Sequence, residues 1–582
     1  SDLKLYASNF SNISGSVGRG CLSVSNSRII DMQRISATNF SSGCILIKNA
    51  SYAYLSDFAA ENYRNKGIIE SDGSVLHLNA VLRAELKKLK IRGNGNLSST
   101  KGGAIHLSNC RNISLSDAEL KENGAKLGGA LFIQNTTGQI ERVDFLSNKA
   151  VQGGGLYVEK SPVLKEGDLT LASLNFELNK ANLTGGGAHF EEIYGFTLKE
   201  SSFFKNTGNY SETKSSSLTE YLRGGAIFIS NSAGLLDEVE FESNYAIQGG
   251  GIYAEKSLDP EKGNLTFSKL TFQTNVANLT GGAAHFEEIH NFNLTNSVFE
   301  ENMGNLSPDN SLPNPSYSKG GALYIRNSTG LIERSDFWQN KAIHGGGLYA
   351  EESPSLEKGT LVFSRLKVRM NDGNLTGGGA HFENLHNFVL RVSEFKENKM
   401  CDTIVRKNDT TPIPPVMKNY SRGGALFIQN GTGLIDLTDF WDNKAMHGGG
   451  LYAGNSSVAE MGNLTLMNLA FQRNSAFVTG GGVHFEEIQN FILRETSFER
   501  NMLISFGNKS RLLEQKTKGG AIYYSCTKKN HSCLSEVERL NMTNNYANLG
   551  GGIYFNNHLF DPTRGSDIWL NLPQEFASSP VQ

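Results

Sequence analysis

Short alternations of apolar and polar residues recur along the chain between glycine clusters, and no stretch carries the 3.6-residue period of a helix. The segment Gly128–Lys149 reads GGALFIQNTTGQIERVDFLSNK. It returns as GGAIFISNSAGLLDEVEFESNY from Gly224, as GGALYIRNSTGLIERSDFWQNK from Gly320, as GGALFIQNGTGLIDLTDFWDNK from Gly423, and more loosely from Gly519. The starts lie 96, 96, 103 and 96 residues apart, and each repeat divides again at glycine clusters in steps of 25, 32 and 39, the third having 46 in place of 39. Every sub-unit opens on Gly-Gly and a small residue and passes through a short alternating strand and a polar turn. A second apolar stretch then closes on Phe-x-x-Asn, as at Phe145–Asn148, Phe176–Asn179, Phe241–Asn244 and Phe440–Asn443.

A unit of about 25 residues holding two or three short strands is one coil of a parallel β-helix, whereas a propeller blade needs four strands and about 40–50 residues. The pattern therefore predicts an all-β chain, a single-stranded parallel β-helix solenoid of roughly 18 coils, about 85 Å long at ~4.8 Å per rung, with glycosylated side loops. Irregular coils are expected over residues 1–101, regular three-coil repeats over 102–556, and a tail or contact segment over 557–582.

Alternation assigns the faces. Leu131 with Ile133, Leu156 with Val158, and Ala188 with Phe190 point inward, and one side chain grows where its partner shrinks, as a core of fixed width requires. The asparagine of Phe-x-x-Asn recurs once per coil, at Asn148, Asn179, Asn244, Asn275, Asn340 and Asn443 among others, and is expected to stack as a ladder at a buried corner.

Other asparagines point outward. The chain holds 58 asparagines and 23 Asn-x-Ser/Thr sequons, and none of the corner asparagines is a sequon. Sequons recur instead at equivalent turns: Asn135, Asn327 and Asn430 in one line, Asn182, Asn278 and Asn374 in another, with Asn209, Asn305, Asn419 and Asn508 in the long third-coil loops and Asn264 and Asn463 ahead of strands. This separation predicts N-glycosylation at surface turns and a secretory route. Alternation also places Phe132, Tyr157, His189, Phe228, Tyr253 and His285 on the outer face, a stripe that would be an open apolar patch unless loops, a neighbouring subunit or stacked sugar covered it.

Cys21 and Cys44 hold the same offset in neighbouring coils, which is within disulfide range, although two small side chains filling an alanine slot is the alternative. Cys526 and Cys533 bracket CTKKNHSC, a loop that a second bond would close.

Composition narrows the function. With 63 Gly, only 12 Pro and 55 Lys plus Arg against 58 Asp plus Glu, the chain has neither a collagen period nor the basic excess of a nucleic-acid partner. No apolar run approaches the ~18 residues of a membrane span. The start at Ser1 reads as a processed or trimmed product. No metal-ligand spacing is evident, and no cofactor is expected. His189-Phe190-Glu191-Glu192 and its copies from His285 and His484 repeat, whereas a catalytic site is needed once, so no catalytic residue is assigned and the chain is expected not to be an enzyme.

The motifs Gly128-Gly129-Ala130-Leu131, Gly224-Gly225-Ala226-Ile227, Gly320-Gly321-Ala322-Leu323 and Gly423-Gly424-Ala425-Leu426, with the Phe-x-x-Asn copies, resemble those of the chlamydial polymorphic membrane proteins. The resemblance implies a pectin-lyase-like, right-handed parallel β-helix passenger with an adhesive role. The expected function is then a non-enzymatic extracellular structural or adhesive glycoprotein at the cell surface, assembling end-to-end or laterally into a fibre or coat. Its expected partners are its own copies, N-linked glycans, and carbohydrate or other surface proteins. The alternatives are a bacterial autotransporter-type adhesin passenger and a polysaccharide-active β-helix enzyme.

Overall fold

The computed structural model describes residues 2–11, 22–38, 44–61, 74–94, 101–160, 168–208, 222–256, 263–306, 318–354, 359–400, 421–454, 462–488, 491–504, 517–526 and 535–557. These divide into two compact units, one formed by Ser1–Asn278 with Gly282–Asn293, the other by Leu279–Gly281 with Leu294–Gln582. Each is all-β among the described residues, and its strands pair in parallel with the equivalent strands of adjacent coils.

One coil of the first unit shows how the sequence closes a turn. Gly128 takes φ +62°, and a Cβ there would stand 2.2 Å from the Leu131 carbonyl oxygen. Gly129 has no positive φ, but its Cβ would lie 2.1 Å from the Gly154 oxygen of the next coil, so both glycines are sterically required. The strand Leu131–Gln134 follows, stacked in register on Leu156–Glu159, with Leu131 opposite Leu156 and Ile133 opposite Val158. A turn at Asn135, φ +46°, leads into the long strand Gly138–Leu146, which bends at Arg142, φ +51°. Ser147, φ +54°, turns the chain into the ladder position Asn148 and the short strand Lys149–Gln152. Each coil thus contributes to three parallel sheets: that of the Gly-Gly strands, a long sheet, and a short sheet.

Stacking along the axis fills the core. In the first unit Phe145, Phe176, Phe203, Phe241 and Phe272 form a continuous stack with ring centroids 4.4–5.3 Å apart. In the second, Phe395, Phe440, Phe471 and Phe498 do the same at 4.6–5.2 Å. Ala188 and Phe190 are both fully buried, the phenylalanine stacking on Phe196 at 4.7 Å. Residues 558–582, most of the expected tail, lie outside the described residues.

Candidate functional site

Three repeated features could carry function, and the structure ranks them by what they leave open. The first is the corner ladder. Asn148 is fully buried and donates its backbone N–H and its Nδ2 to Asn179 Oδ1, both at 3.0 Å, and Nδ2 also donates to the Leu120 carbonyl at 2.8 Å. The same geometry runs Asn94, Asn123, Asn148, Asn179, Asn206, Asn244, Asn275 in the first unit. In the second it runs Asn302, Asn340, Asn371, Asn398, Asn443, Asn474, Asn501, Asn545. Each interior amide is used as donor and acceptor, so the ladder has no capacity left for a ligand. Asn94 and Asn123 escape the sequence motif because Ile91 and Leu120 stand where Phe does elsewhere.

The second feature requires a correction. The stripe Phe132, Tyr157, His189, Phe228, Tyr253 and His285 is not an open outer face; all six side chains are buried. What closes it in part is the Lys, Arg or Thr that stands just ahead of some of the Gly-Gly pairs. Lys101 Nζ lies 4.4 Å from the Phe132 centroid and the Arg223 guanidinium 5.0 Å from that of Tyr253. Arg223 also pairs with Glu255 at 2.8 Å, and the Tyr157 hydroxyl donates to Glu191 at 2.6 Å. Thr184, at the equivalent position, places Oγ1 2.8 Å from His189 Nδ1.

The second unit repeats this with a richer network. Lys319 pairs with Glu351 at 2.6 Å and lies 4.7 Å from the Tyr349 centroid, while Tyr349 donates to Glu383. Thr376 Oγ1 sits 2.6 Å from His381 Nδ1 and 2.7 Å from His344 Nδ1, so one hydroxyl bridges two imidazoles. Thr479 bridges His484 and His447 in the same way, at 2.7 and 2.6 Å. Burial drives His381 and His484 well below the usual histidine range, helped by the neighbouring His344 and His447, and burial lowers His344 to about 4. These rings are neutral at pH 7. The rings are buried and held at Nδ1 by the threonines, while Nε2 of His381 and of His484 is buried without a hydrogen-bond partner.

The sequence signal was present: Lys/Arg, His/Gln and Thr alternate ahead of the glycine pairs every three coils. It also explains one line of sequons differently. Thr184 and Thr376 are tied to histidines, and Thr479 keeps that role where Phe477 has replaced the sequon asparagine.

The remaining sequon asparagines face out to differing degrees. Asn135, Asn264 and Asn463 are exposed, while Asn182, Asn278, Asn305, Asn327, Asn374 and Asn430 are half-buried. Asn135, Asn327 and Asn430 each have φ between +46° and +48°, and Asn135 donates to Asn109 Oδ1 at 2.9 Å. Asn209, Asn419 and Asn508 lie outside the described residues, as do Cys21 and Cys533. Cys44 holds a buried thiol rather than a disulfide sulfur. It fills the slot occupied by Val75 and Ala104 in the next two coils, donating its N–H to the Val75 carbonyl at 3.0 Å. Cys526 is disulfide-bonded.

The third feature is open. On the outer side of the long sheet in the second unit, Leu331, Val362, Val389 and Leu434 stack in register, all half-buried. Beside them Trp338, Met370, Val392 and Leu437 are 37–55% exposed. The matching column of the first unit reads Gln139, Thr170, Thr197 and Leu235, mostly polar. The described strands that build the second-unit face, from Gly330 to Gln472, contain no sequon.

No family model matches the chain, and no curated protein does either. Among solved structures it is similar to a mutant of AlyGC, an alginate lyase of the PL6 family, at 8% identity and a TM-score of 0.23, over 98% of this chain and 96% of that one. The expectation that the chain is not an enzyme is withdrawn on this finding, because its structural neighbour is a polysaccharide lyase; repetition of a pattern does not exclude chemistry at one copy. At that similarity the likeness assigns no activity. The fold rests on the parallel register described above. Among the described residues no cluster of three or more His, Cys, Asp or Glu could hold a metal ion, and no helix is long and apolar enough to cross a membrane.

Proposed function

We propose that the chain is an extracellular glycoprotein scaffold, structural or adhesive, in which stacked coils hold a lateral face rigid for binding while N-glycans occupy the turns. One observation carries this reading. The asparagines that must stay buried are never sequons, whereas Asn135, Asn264 and Asn463 are sequons and reach solvent. A rigid rung repeat suits many weak, equivalent contacts along one side. The resemblance of the GGA and Phe-x-x-Asn motifs to adhesive passengers supports the same role, and it keeps an unglycosylated bacterial surface adhesin as the competing source.

Secretion of the chain from eukaryotic cells, followed by N-glycanase treatment and peptide mapping, tests the reading. Glycan on Asn135, Asn264 and Asn463 is expected. A secreted, folded chain bare at all three positions would overturn the glycoprotein reading and favour the bacterial one.

A further inference from the structure

On the open face of the second unit, charge is ordered by coil. The coil 361–370 carries Arg365, Lys367 and Arg369 and no acid, whereas the coil 433–442 carries Asp436, Asp439 and Asp442 and no base. The coil between them, 388–397, is neutral, with Arg391 and Lys396 against Glu394 and Glu397. Register places Lys367, Glu394 and Asp439 in one column, and Arg369, Lys396 and Trp441 in the next. A face with a cationic row and an anionic row one coil to either side of a neutral row is complementary to its own copy turned end for end.

We propose that this face is an antiparallel homodimer interface, with the two-fold axis running along the strands of coil 388–397. That operation keeps each column and exchanges the rows, so Lys367 meets the partner's Asp439, twice, as an isologous contact requires; Arg369, paired with Asp336 in its own chain, comes to the partner's Trp441, whose ring Lys396 of that chain covers at 4.2 Å. The apolar column closes on itself, Val362 against the partner's Leu434 and Val389 against the partner's Val389. On the axis Glu394 meets its own copy and so does Lys396; Lys396 is already neutralised by Glu397 at 3.5 Å.

Two further observations favour a second copy as the occupant. Among the described residues neither Lys367 nor Asp439 makes an ion pair in its own chain, and burial together with the Glu394 carboxylate pushes the Asp439 carboxyl up, so a cation laid over it is favoured. Five coils at ~4.8 Å by nine residues at ~3.3 Å give about 700 Å² per copy, within the size of specific interfaces. The inference goes beyond the glycoprotein reading and does not depend on it.

Charge exchange in the full chain tests it. Sedimentation equilibrium at micromolar concentration should show a dimer for the unaltered chain. Lys367→Glu and Asp439→Lys should each weaken it at least tenfold, since each sets like charges face to face. An equimolar mixture of the two variants should dimerise as the unaltered chain does, because both pairs between positions 367 and 439 are then opposite in sign; the double variant should as well. Both positions are on the outer face, and circular dichroism checks that the variants fold. A monomeric unaltered chain, a dimer indifferent to both substitutions, or a mixture no tighter than its components would each overturn the proposal.

Discussion

Asn179→Ala examines the ladder at one rung. In the folded chain Asn179 Oδ1 accepts the Asn148 backbone N–H and the Asn148 Nδ2, while its Nδ2 donates to the Phe145 carbonyl at 2.8 Å and to Asn206 Oδ1 at 3.0 Å. Truncation leaves the Asn148 backbone N–H orphaned in a fully buried corner, at about 1–3 kcal/mol. The other three groups keep a second partner or lose only one bond, at about 1 kcal/mol each. The sum is about 4–6 kcal/mol of local stability. A solenoid opens locally, so the suitable assay is hydrogen exchange on peptides spanning 143–150 and 175–182, with urea unfolding beside it. Asn182→Ala, three residues away and half-buried, is the control and should cost within about 0.5 kcal/mol. Equal effects of the two substitutions would refute the reasoning.

Gly129→Ala should destabilise by at least about 3 kcal/mol because its Cβ lands 2.1 Å from the Gly154 oxygen and 2.6 Å from the Lys149 oxygen, whereas Gly552→Ala, which meets only Met542 Sδ at 3.5 Å, should be tolerated; thermal melts of the pair check this. Ala188→Phe adds a ring to a fully buried slot beside Phe190 and should cost about 1–3 kcal/mol, read from the same melts. The buried histidines predict acid lability. His344, His381 and His484 are held neutral in the folded state, so the unfolded chain binds protons that the native chain does not as pH falls below their ordinary value of about 6.5. Stability is intact above that pH and drops by about 1.4 kcal/mol per histidine per pH unit below it, until His344 itself protonates near pH 4. Unfolding free energies from urea titrations at pH 7.5 and 5.5 should therefore differ by about 4 kcal/mol, and a flat profile over that range would show the rings are not neutral and buried.

Much of the coil was legible because its two strongest signals are steric and polar. Gly-Gly is demanded by a turn that leaves no room for Cβ, and the Phe-x-x-Asn asparagine by a corner whose backbone must be satisfied. The face assignments were less legible. Strand alternation marks Phe132, His189 and Tyr253 as outward, but Lys101, Thr184 and Arg223 lie against them, and nothing in a period of two reveals a neighbour from the adjacent turn. Cys44 is misread by the same logic: identical offsets bring two cysteines within reach, yet the slot only asks for a small side chain. The self-complementary charge rows were unreadable before the register fixed which coils adjoin, because Lys367 and Asp439 are 72 residues apart in the chain and two rungs apart in space.

Register is the claim on which the ladder, the covered stripe and the dimer face all depend, and cysteine trapping tests it directly. Asp144 and Asn175 are register partners on the outer side of the long sheet, while Glu177 lies two residues further along the same strand and the same face. Partners ~4.8 Å apart across parallel strands fall within disulfide range, and a two-residue displacement takes the Cα atoms beyond ~7 Å. The double variant Asp144→Cys/Asn175→Cys should therefore form its bond rapidly on mild oxidation, read by peptide mapping, and Asp144→Cys/Glu177→Cys should not. Equal trapping of both pairs, or trapping of the displaced pair alone, would contradict the stacked coils.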